Sequence, residues 1–201
     1  ASIPLNNDGR AIGNTWDPAK DTAAGEQCKS YGAPAIMRVP GRLHITWADE
    51  NTLKIETDAG TQTRLLHFPH GESFIGLPAA QSTPRSWQGY SVANWERPVR
   101  GSGAPGFGLG ATREGAHGKS LEVVTTQLRA GYLRKNGPPY SENTVLKEYY
   151  DLHKERNGDT WFTVTTVVED PKYLAEPFVT STDFKKIPDG AGWSPSPCIA
   201  K

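Results

Sequence analysis

The stretch Asn157-Gly158-Asp159-Thr160-Trp161-Phe162-Thr163-Val164-Thr165-Thr166-Val167-Val168 decides the fold class of this chain. It begins with a tight-turn signal and continues with an unbroken run of β-branched and aromatic residues, which favour strands. A hairpin needs a second strand before the turn, and residues 143–154 supply one because their side chains separate into two alternating sets. A helix over 143–154 is the alternative, since Leu, Lys and Glu favour helices, but the following turn favours the strand.

Shorter strand patterns lie on both sides of this hairpin. They are predicted over residues 42–48, 52–57, 61–68, 86–95, 121–128 and 178–184, and are separated by Gly, Pro and Asp turns. No helical period lies between them, so we expect antiparallel pairing. The pattern predicts an all-β chain: a single antiparallel β-barrel-like (lipocalin-like) domain of about eight or nine strands with long loops. Such a barrel has no free edges and holds one small ligand.

The domain boundaries follow from composition. Residues 1–27 show no sustained period and are predicted to form an N-terminal arm, partly ordered or wrapped on the surface of a domain over residues 28–201. Residues 97–119 form a glycine-rich insertion that is either a functional flap or a disordered insert. We expect this insertion to be mobile and dispensable for folding.

Composition also excludes some partners. Lys and Arg together number 22, as do Asp and Glu, so the formal net charge is zero and nothing favours a nucleic-acid partner. No apolar run is long enough to span a membrane as a helix. The sequence leaves the oligomeric state open.

The two cysteines indicate an oxidising compartment. Cys28 and Cys198 lie near the two ends with no cysteine between them, so a disulfide between them is the simplest pairing, with two buried thiols as the alternative. The chain starts at Ala1 and its only methionine is Met37, as expected of a product from which a signal peptide was removed. A shortened version of a longer chain would look the same. We expect a periplasmic or extracellular protein.

Several short phrases resemble a large family of exported bacterial proteins with a strand-rich domain. The phrases are Cys28 to Met37, Pro40-Gly41-Arg42, Trp87-x-Gly89-x-Ser91-Val92-x-x-Trp95-Glu96, Leu121 to Thr126, Gly137-x-Pro139-x-Ser141-Glu142, Glu148-x-Tyr150, Glu169-Asp170-Pro171 and Trp193-x-Pro195-x-Pro197-Cys198. The family more often has His at the position of Tyr140 and a two-residue turn in place of residues 97–119. The resemblance implies secretion and a β domain, and it implies no activity.

Glu148 is the first candidate for chemistry. On the strand interpretation it shares a face with Leu146, Tyr150 and Leu152, which directs a carboxylate toward the apolar side of the sheet. Such a carboxylate either works as a general acid or base or is neutralised by an arginine. The arginine candidates are Arg42, Arg64 and Arg129. A solvated Glu148 on a helix is the third alternative.

Three further residues are candidate partners of Glu148. Tyr140 and Glu142 flank Ser141 at a strand entrance, where loop residues of a barrel gather; ordinary turn chemistry is the alternative. His44 is a candidate general base or an exposed residue. His67 and His70 are close in sequence, but no third potential ligand follows at a spacing typical of metal sites. We therefore predict no metal site.

Aromatic residues are the candidates for ligand binding. Five of them fall on or near the predicted strands, and flat side chains suit sugars or aromatic rings; core filling is the alternative. They are Trp47, Trp87, Trp95, Tyr150 and Trp161. The sequence contains no phosphate-binding or dinucleotide-binding loop in a suitable context, so we predict no cofactor.

Two functions are consistent with these patterns. The first is an exported, cofactor-independent lyase, isomerase or hydrolase that acts on a small sugar-like or aromatic compound in the barrel pocket, with Glu148 as acid or base helped by Tyr140, His44 or Glu142. The second is a lipocalin-like protein that binds a small molecule without converting it. The sequence leaves open whether the chain is an enzyme. Converging titratable groups would favour the first function, and an apolar, aromatic lining would favour the second.

Overall fold

Eight strands form one curled sheet in the computed structural model, which describes residues 2–69, 83–95 and 120–200. Along the sheet the order is β1-β2-β3-β4-β5-β8-β9-β10, and β6 pairs with β7 in a separate two-stranded sheet. The strands are β1 (Leu43–Asp49), β2 (Thr52–Thr57), β3 (Gln62–His67), β4 (Tyr90–Trp95), β5 (Ser120–Thr126), β6 (Gly131–Tyr132), β7 (Pro139–Tyr140), β8 (Val145–Lys154), β9 (Thr160–Glu169) and β10 (Phe178–Lys185).

The curled sheet is an open half-barrel and not the closed barrel expected from the sequence. Strands β1 and β10 end the strand order and form no ladder with each other, so both remain edges. The chain after the short helix α3 (Ala33–Ile36) contacts one of these edges, because the Arg38 guanidinium donates to the Thr180 hydroxyl of β10 over 3.3 Å. The prediction of a mostly β fold is confirmed, and the prediction of closure is wrong.

One pair of neighbouring strands is parallel, which corrects the expectation of antiparallel pairing throughout. Leu66 of β3 pairs with Ser91 of β4, and His67 pairs with Val92, in the same direction. A parallel pair requires a connection of a dozen or more residues, whereas a hairpin requires only a few. The long connection between β3 and β4 meets this requirement.

The β8–β9 hairpin joins the two segments that were predicted to pair around the Asn157-Gly158-Asp159 turn. Lys154 pairs with Thr160 next to the turn, and the ladder continues to Val145 opposite Glu169. Burial alternates along the first half of β8, with Leu146, Glu148 and Tyr150 inside. This alternation confirms a strand over the segment for which a helix was the alternative.

The N-terminal arm contains short helices that the sequence pattern did not indicate. They are α1 (Asn7–Gly13), α2 (Pro18–Ala23) and a 3-10 helix over Gln27–Tyr31. Each of the first two has a side-chain cap: the Asn6 side chain accepts from the Gly9 amide, and the Asp17 carboxylate accepts from the Ala19 amide. Helices this short show no hydrophobic period, so their caps and the proline at the start of α2 are the sequence signals.

The apolar core has two parts. The first lies on the concave face of the curled sheet and contains Ile55, Leu66, Leu121 and Val164 with Ile36 and Met37 of the α3 segment. The second lies at the opposite end of the sheet, where Leu128, Leu133, Tyr140 and Phe178 pack together. The predicted insertion over residues 97–119 lies outside the described residues.

The Cys28–Cys198 disulfide is present, as predicted, and closes a separation of 170 residues. The chain before Cys198 is held along the β2–β3 turn, because the Ser196 amide donates to the Asp58 carbonyl over 2.8 Å. A cross-link over so long a loop stabilises the folded state by about 5 kcal/mol in the chain-entropy model. Within the part of the chain that the structure describes, no helix has the length and apolar character to cross a membrane.

Candidate functional site

A fully buried ion pair lies on the concave face. The Glu148 carboxylate accepts from both terminal nitrogens of Arg64, with Nη1–Oε1 at 3.0 Å and Nη2–Oε2 at 2.6 Å. Both side chains have 0% exposure. Nη2 also donates to the Thr125 hydroxyl over 3.4 Å, and that hydroxyl lies 2.7 Å from the hydroxyl of Ser91. Arg64 is therefore the partner among the three arginines considered for Glu148.

The pair spans the inside of the curl. Arg64 is on β3 and Glu148 is on β8, and two strands, β4 and β5, lie between them. Three interstrand steps amount to about 14 Å along a flat sheet. Because side chains stand roughly perpendicular to a sheet, its curvature brings these two side chains together across the concave face. The ion pair and the curvature therefore depend on each other.

The surroundings of the pair shift the pKa values of Arg64 and Tyr150. Burial lowers the pKa of Arg64, but Glu148 and Tyr150 together outweigh burial and raise this pKa above its ordinary value, so the guanidinium stays charged. Burial, and then the Glu148 charge, raise the pKa of Tyr150 above its ordinary value. The Tyr150 hydroxyl lies beside the pair without a hydrogen bond of good geometry. A carboxylate bound at both oxygens and shielded from water has the geometry of a structural ion pair.

The other predicted acid–base residues lie elsewhere. Tyr140 is buried in the second apolar cluster, and burial raises the pKa of its hydroxyl, which has no hydrogen-bond partner. Glu142 is exposed and lies 3.7 Å from Arg85. His44 is exposed and pairs with Glu56 over 3.1 Å. The structure does not bring these three residues together with Glu148.

Ser141, between Tyr140 and Glu142, belongs to the hydrogen-bond network of the Asp170 carboxylate. The Asp170 carboxylate is buried and accepts from the Ser141 hydroxyl over 2.9 Å and from the Thr144 hydroxyl over 3.0 Å. It also accepts from the Lys172 amide. This arrangement corresponds to the turn chemistry that was the alternative for this segment.

Three aromatic side chains form a row across one end of the concave face. The Trp47 ring lies 5.3 Å from that of Phe68, which stacks on Trp95 at 5.7 Å. We call these three residues the aromatic rim, and the end of the concave face that carries them the mouth. Trp47 is 54% exposed and Trp95 is 47% exposed. Two half-exposed tryptophans that both contact Phe68 form a patch rather than scattered surface residues.

The far side of the mouth is also aromatic. Phe162 of β9 and Phe184 of β10 stack with their ring centres 5.0 Å apart, and Phe162 lies 6.3 Å from Tyr150. Leu152 of β8 pairs with Phe162 and is 53% exposed. Buried Leu121 lies between the two sides, because it pairs with Trp95 and with Tyr150. The described part of the mouth is therefore apolar from one side to the other.

Two of the five predicted ligand-binding aromatic residues lie at the mouth, and a third lies beneath it. Trp47 and Trp95 belong to the rim, and Tyr150 is buried under it. Trp87 lies at the opposite end of β4, below the Arg129 guanidinium at 4.4 Å. Trp161 alternates with Phe162 and therefore faces the outside of the sheet, where Lys185 lies 5.9 Å from its ring. The structure separates Trp87 and Trp161 from the mouth.

Sequence reasoning missed Phe68, Phe162 and Phe184. A parity argument could have found Phe162, because residues paired across the β8–β9 hairpin share a face and Leu152 lies opposite Phe162. The same argument extends to Phe184, which pairs with Phe162. Phe68 follows the end of β3, and no sequence signal relates it to β1 and β4.

No cluster suited to a metal ion occurs among residues 2–69, 83–95 and 120–200. His67 stacks on Tyr90 at 4.8 Å, on the outer face of the sheet. His70 lies outside the described residues.

Fold and site together define an open β half-barrel with a buried ion pair in its interior and an apolar, aromatic mouth. No family model, curated protein or solved structure matches the chain. The function of this half-barrel is therefore inferred from its own residues.

Proposed function

We propose that this chain binds a flat, apolar small molecule at the mouth of the half-barrel and does not convert it. This is the lipocalin-like function, with the ligand held at the end of a curled sheet. The observation that carries the proposal is the row of Trp47, Phe68 and Trp95 on a concave surface, in which both tryptophans are about half exposed. Barrel mouths with aromatic linings are common ligand sites.

The character of the lining supports an aromatic or aliphatic ligand. Stacked or edge-on contacts with indole and phenyl rings favour planar apolar molecules. A sugar would require several hydrogen-bonding groups around the rings, and the side chains described at the mouth are apolar. The second side of the mouth, Phe162 and Phe184, offers a further stacked surface for such a molecule.

The position of the titratable groups supports binding over catalysis. Tyr140, Glu142 and His44 lie away from the mouth, and Glu148 has both oxygens bound by Arg64. General acid–base chemistry needs a group within hydrogen-bond reach of the reacting atom. Among the described residues, the four acid–base candidates are not close enough to one another to act on the same reacting atom. These candidates are Glu148, Tyr140, Glu142 and His44.

A fluorescence titration tests the proposal. The probe is N-phenyl-1-naphthylamine, a neutral aromatic amine that becomes fluorescent in apolar surroundings. We expect saturable binding to the wild type and a loss of affinity of about tenfold in Trp47→Ala and in Trp95→Ala, which corresponds to about 1.4 kcal/mol. Trp161→Ala is the matched control, because this tryptophan lies on the outer face of the same sheet. Equal affinity in all four proteins would contradict the proposal.

The disulfide supports a related proposal, that the chain works in the periplasm or outside the cell. Disulfides persist in oxidising compartments and are rare in the cytosol. We expect Cys28 and Cys198 to resist thiol labelling in intact source cells before lysis. Labelling of both cysteines under those conditions would contradict the proposed location.

A further inference from the structure

We propose that the cleft between the end of α3 and the β6–β7 hairpin binds a multiply charged oxyanion of the phosphate type. This site is independent of the aromatic mouth, and its test does not depend on any ligand there. It is carried by three cationic side chains that line one small cavity: Arg38, Arg134 and Lys135.

The cavity has the size of a small anion. Its volume is about 110 Å³, and its remaining lining includes Ser30, Val39 and Leu133. Phosphate or sulfate fits into this space, whereas the flat molecules proposed for the mouth are larger. The partly apolar lining strengthens electrostatic interactions with a bound ion, because it lowers the local dielectric constant.

Arg38 is a largely buried cation with spare donor capacity. Its guanidinium donates to the Leu133 carbonyl over 2.7 Å and to the Thr180 hydroxyl over 3.3 Å, while its buried Nε has no partner. No carboxylate of the described residues lies within salt-bridge distance of Arg38. A buried charge without a counter-ion is costly, and an anion in the adjacent cavity would reduce that cost.

A second guanidinium lies close enough to act on Arg38. Burial, and then the charge of Arg134, lower the pKa of Arg38 to about 10. Glu148 acts in the opposite direction on Arg38, but both of its oxygens are bound by Arg64. The Glu148 charge is therefore already compensated by Arg64.

Lys135 completes the group of cations. Its ammonium lies over the ring of Tyr31, 4.8 Å from the ring centre, and within the described ranges it forms no salt bridge with a carboxylate. The aromatic contact holds the side chain without neutralising its charge. Two guanidinium groups and one ammonium around a small cavity match the several oxygens and the double charge of phosphate.

The test uses inorganic phosphate and isothermal titration calorimetry on the full chain, at constant ionic strength adjusted with sodium chloride. We expect saturable binding of phosphate to the wild type and at least tenfold weaker binding to Arg134→Gln/Lys135→Gln. Arg134 is exposed and Lys135 is half-buried, so the variant should fold. Lys147→Gln/Lys154→Gln removes two positive charges from β8 and serves as the matched control, with affinity equal to that of the wild type.

Thermal unfolding gives an independent readout. Phosphate at twenty times its dissociation constant should raise the wild-type unfolding temperature by about 3 to 7 °C, and sodium chloride of equal ionic strength should not. Loss of this shift in Arg134→Gln/Lys135→Gln supports the site. A wild type that binds no phosphate, a double variant that binds it as well as the wild type does, or an equal affinity for acetate would each overturn the proposal.

Discussion

The buried Arg64–Glu148 pair leads to a quantitative prediction for Glu148→Gln. The substitution keeps the side-chain shape but removes the negative charge and replaces one carboxylate oxygen with an NH₂ group. In the variant, this NH₂ group faces an Nη donor of Arg64. In the wild type, the two Nη donors lie 3.0 and 2.6 Å from the Glu148 oxygens that accept from them. Because both side chains have 0% exposure, water cannot solvate the unpaired guanidinium.

The expected cost is large. Removing one partner of a buried ion pair lowers the free energy of unfolding by about 3 to 5 kcal/mol. For a chain of this length, each kcal/mol corresponds to a change of about 2 to 4 °C in unfolding temperature, so we expect a decrease of roughly 6 to 20 °C. Urea unfolding followed by tryptophan fluorescence, together with calorimetry, measures both quantities.

A matched control is available on the same hairpin. Lys147 and Glu169 pair over 2.8 Å, and both side chains are more than a third exposed. Glu169→Gln should cost less than about 1 kcal/mol, because exposed pairs contribute little.

The apolar double variant Arg64→Met/Glu148→Leu distinguishes the cost of one unpaired buried charge from the loss of the whole ion pair. It removes both charges and should recover most of the stability lost in Glu148→Gln. A Glu148→Gln protein as stable as Glu169→Gln would refute the reasoning, because a buried, bidentate pair cannot lose one charge at so small a cost.

Two further predictions concern the covalent link and the buried tyrosines. Reduction of Cys28–Cys198 should raise the intact mass by two daltons and lower the free energy of unfolding by up to about 5 kcal/mol; an unchanged mass would rule out the disulfide. Burial raises the pKa of both Tyr140 and Tyr150, so the unfolded chain loses these protons first as the pH rises. Stability should therefore fall above about pH 10, by about 1.4 kcal/mol per pH unit for each tyrosine, and chemical unfolding between pH 8 and 11 should show a shallower decline in Tyr140→Phe and Tyr150→Phe. A pH dependence equal to that of the wild type in both variants would contradict the assignment.

The strands could be predicted from sequence because the evidence for them is local. Alternation with a period of two and turn residues place β2 and the β8–β9 hairpin within a residue or two of their observed bounds. The same parity places Glu148 on the side of Leu146 and Tyr150, as the structure does. Leu152 shares that parity but is exposed, because β8 extends beyond the core at the mouth.

Whether the barrel closes, and which arginine pairs with Glu148, depend on contacts between residues that are distant in sequence. Nothing local determines whether β1 reaches β10, and the structure leaves both as edges. Arg42, Arg64 and Arg129 were equivalent candidates because the relation of β3 to β8 depends on the parallel β3–β4 pair. For the same reason, the contact of Phe68 with Trp47 and Trp95 could not be predicted.

The placement of ligand at the aromatic mouth is tested most directly by the indole signals of the ¹⁵N-labelled protein. The chain has six tryptophans, and each contributes one indole N–H resonance to the spectrum. On titration with N-phenyl-1-naphthylamine, we predict that the Trp47 and Trp95 signals move progressively and saturate together, while those of Trp16, Trp87, Trp161 and Trp193 remain in place. Movement confined to Trp87 or Trp161, or a spectrum that does not change at saturating probe, would contradict a ligand site at the mouth.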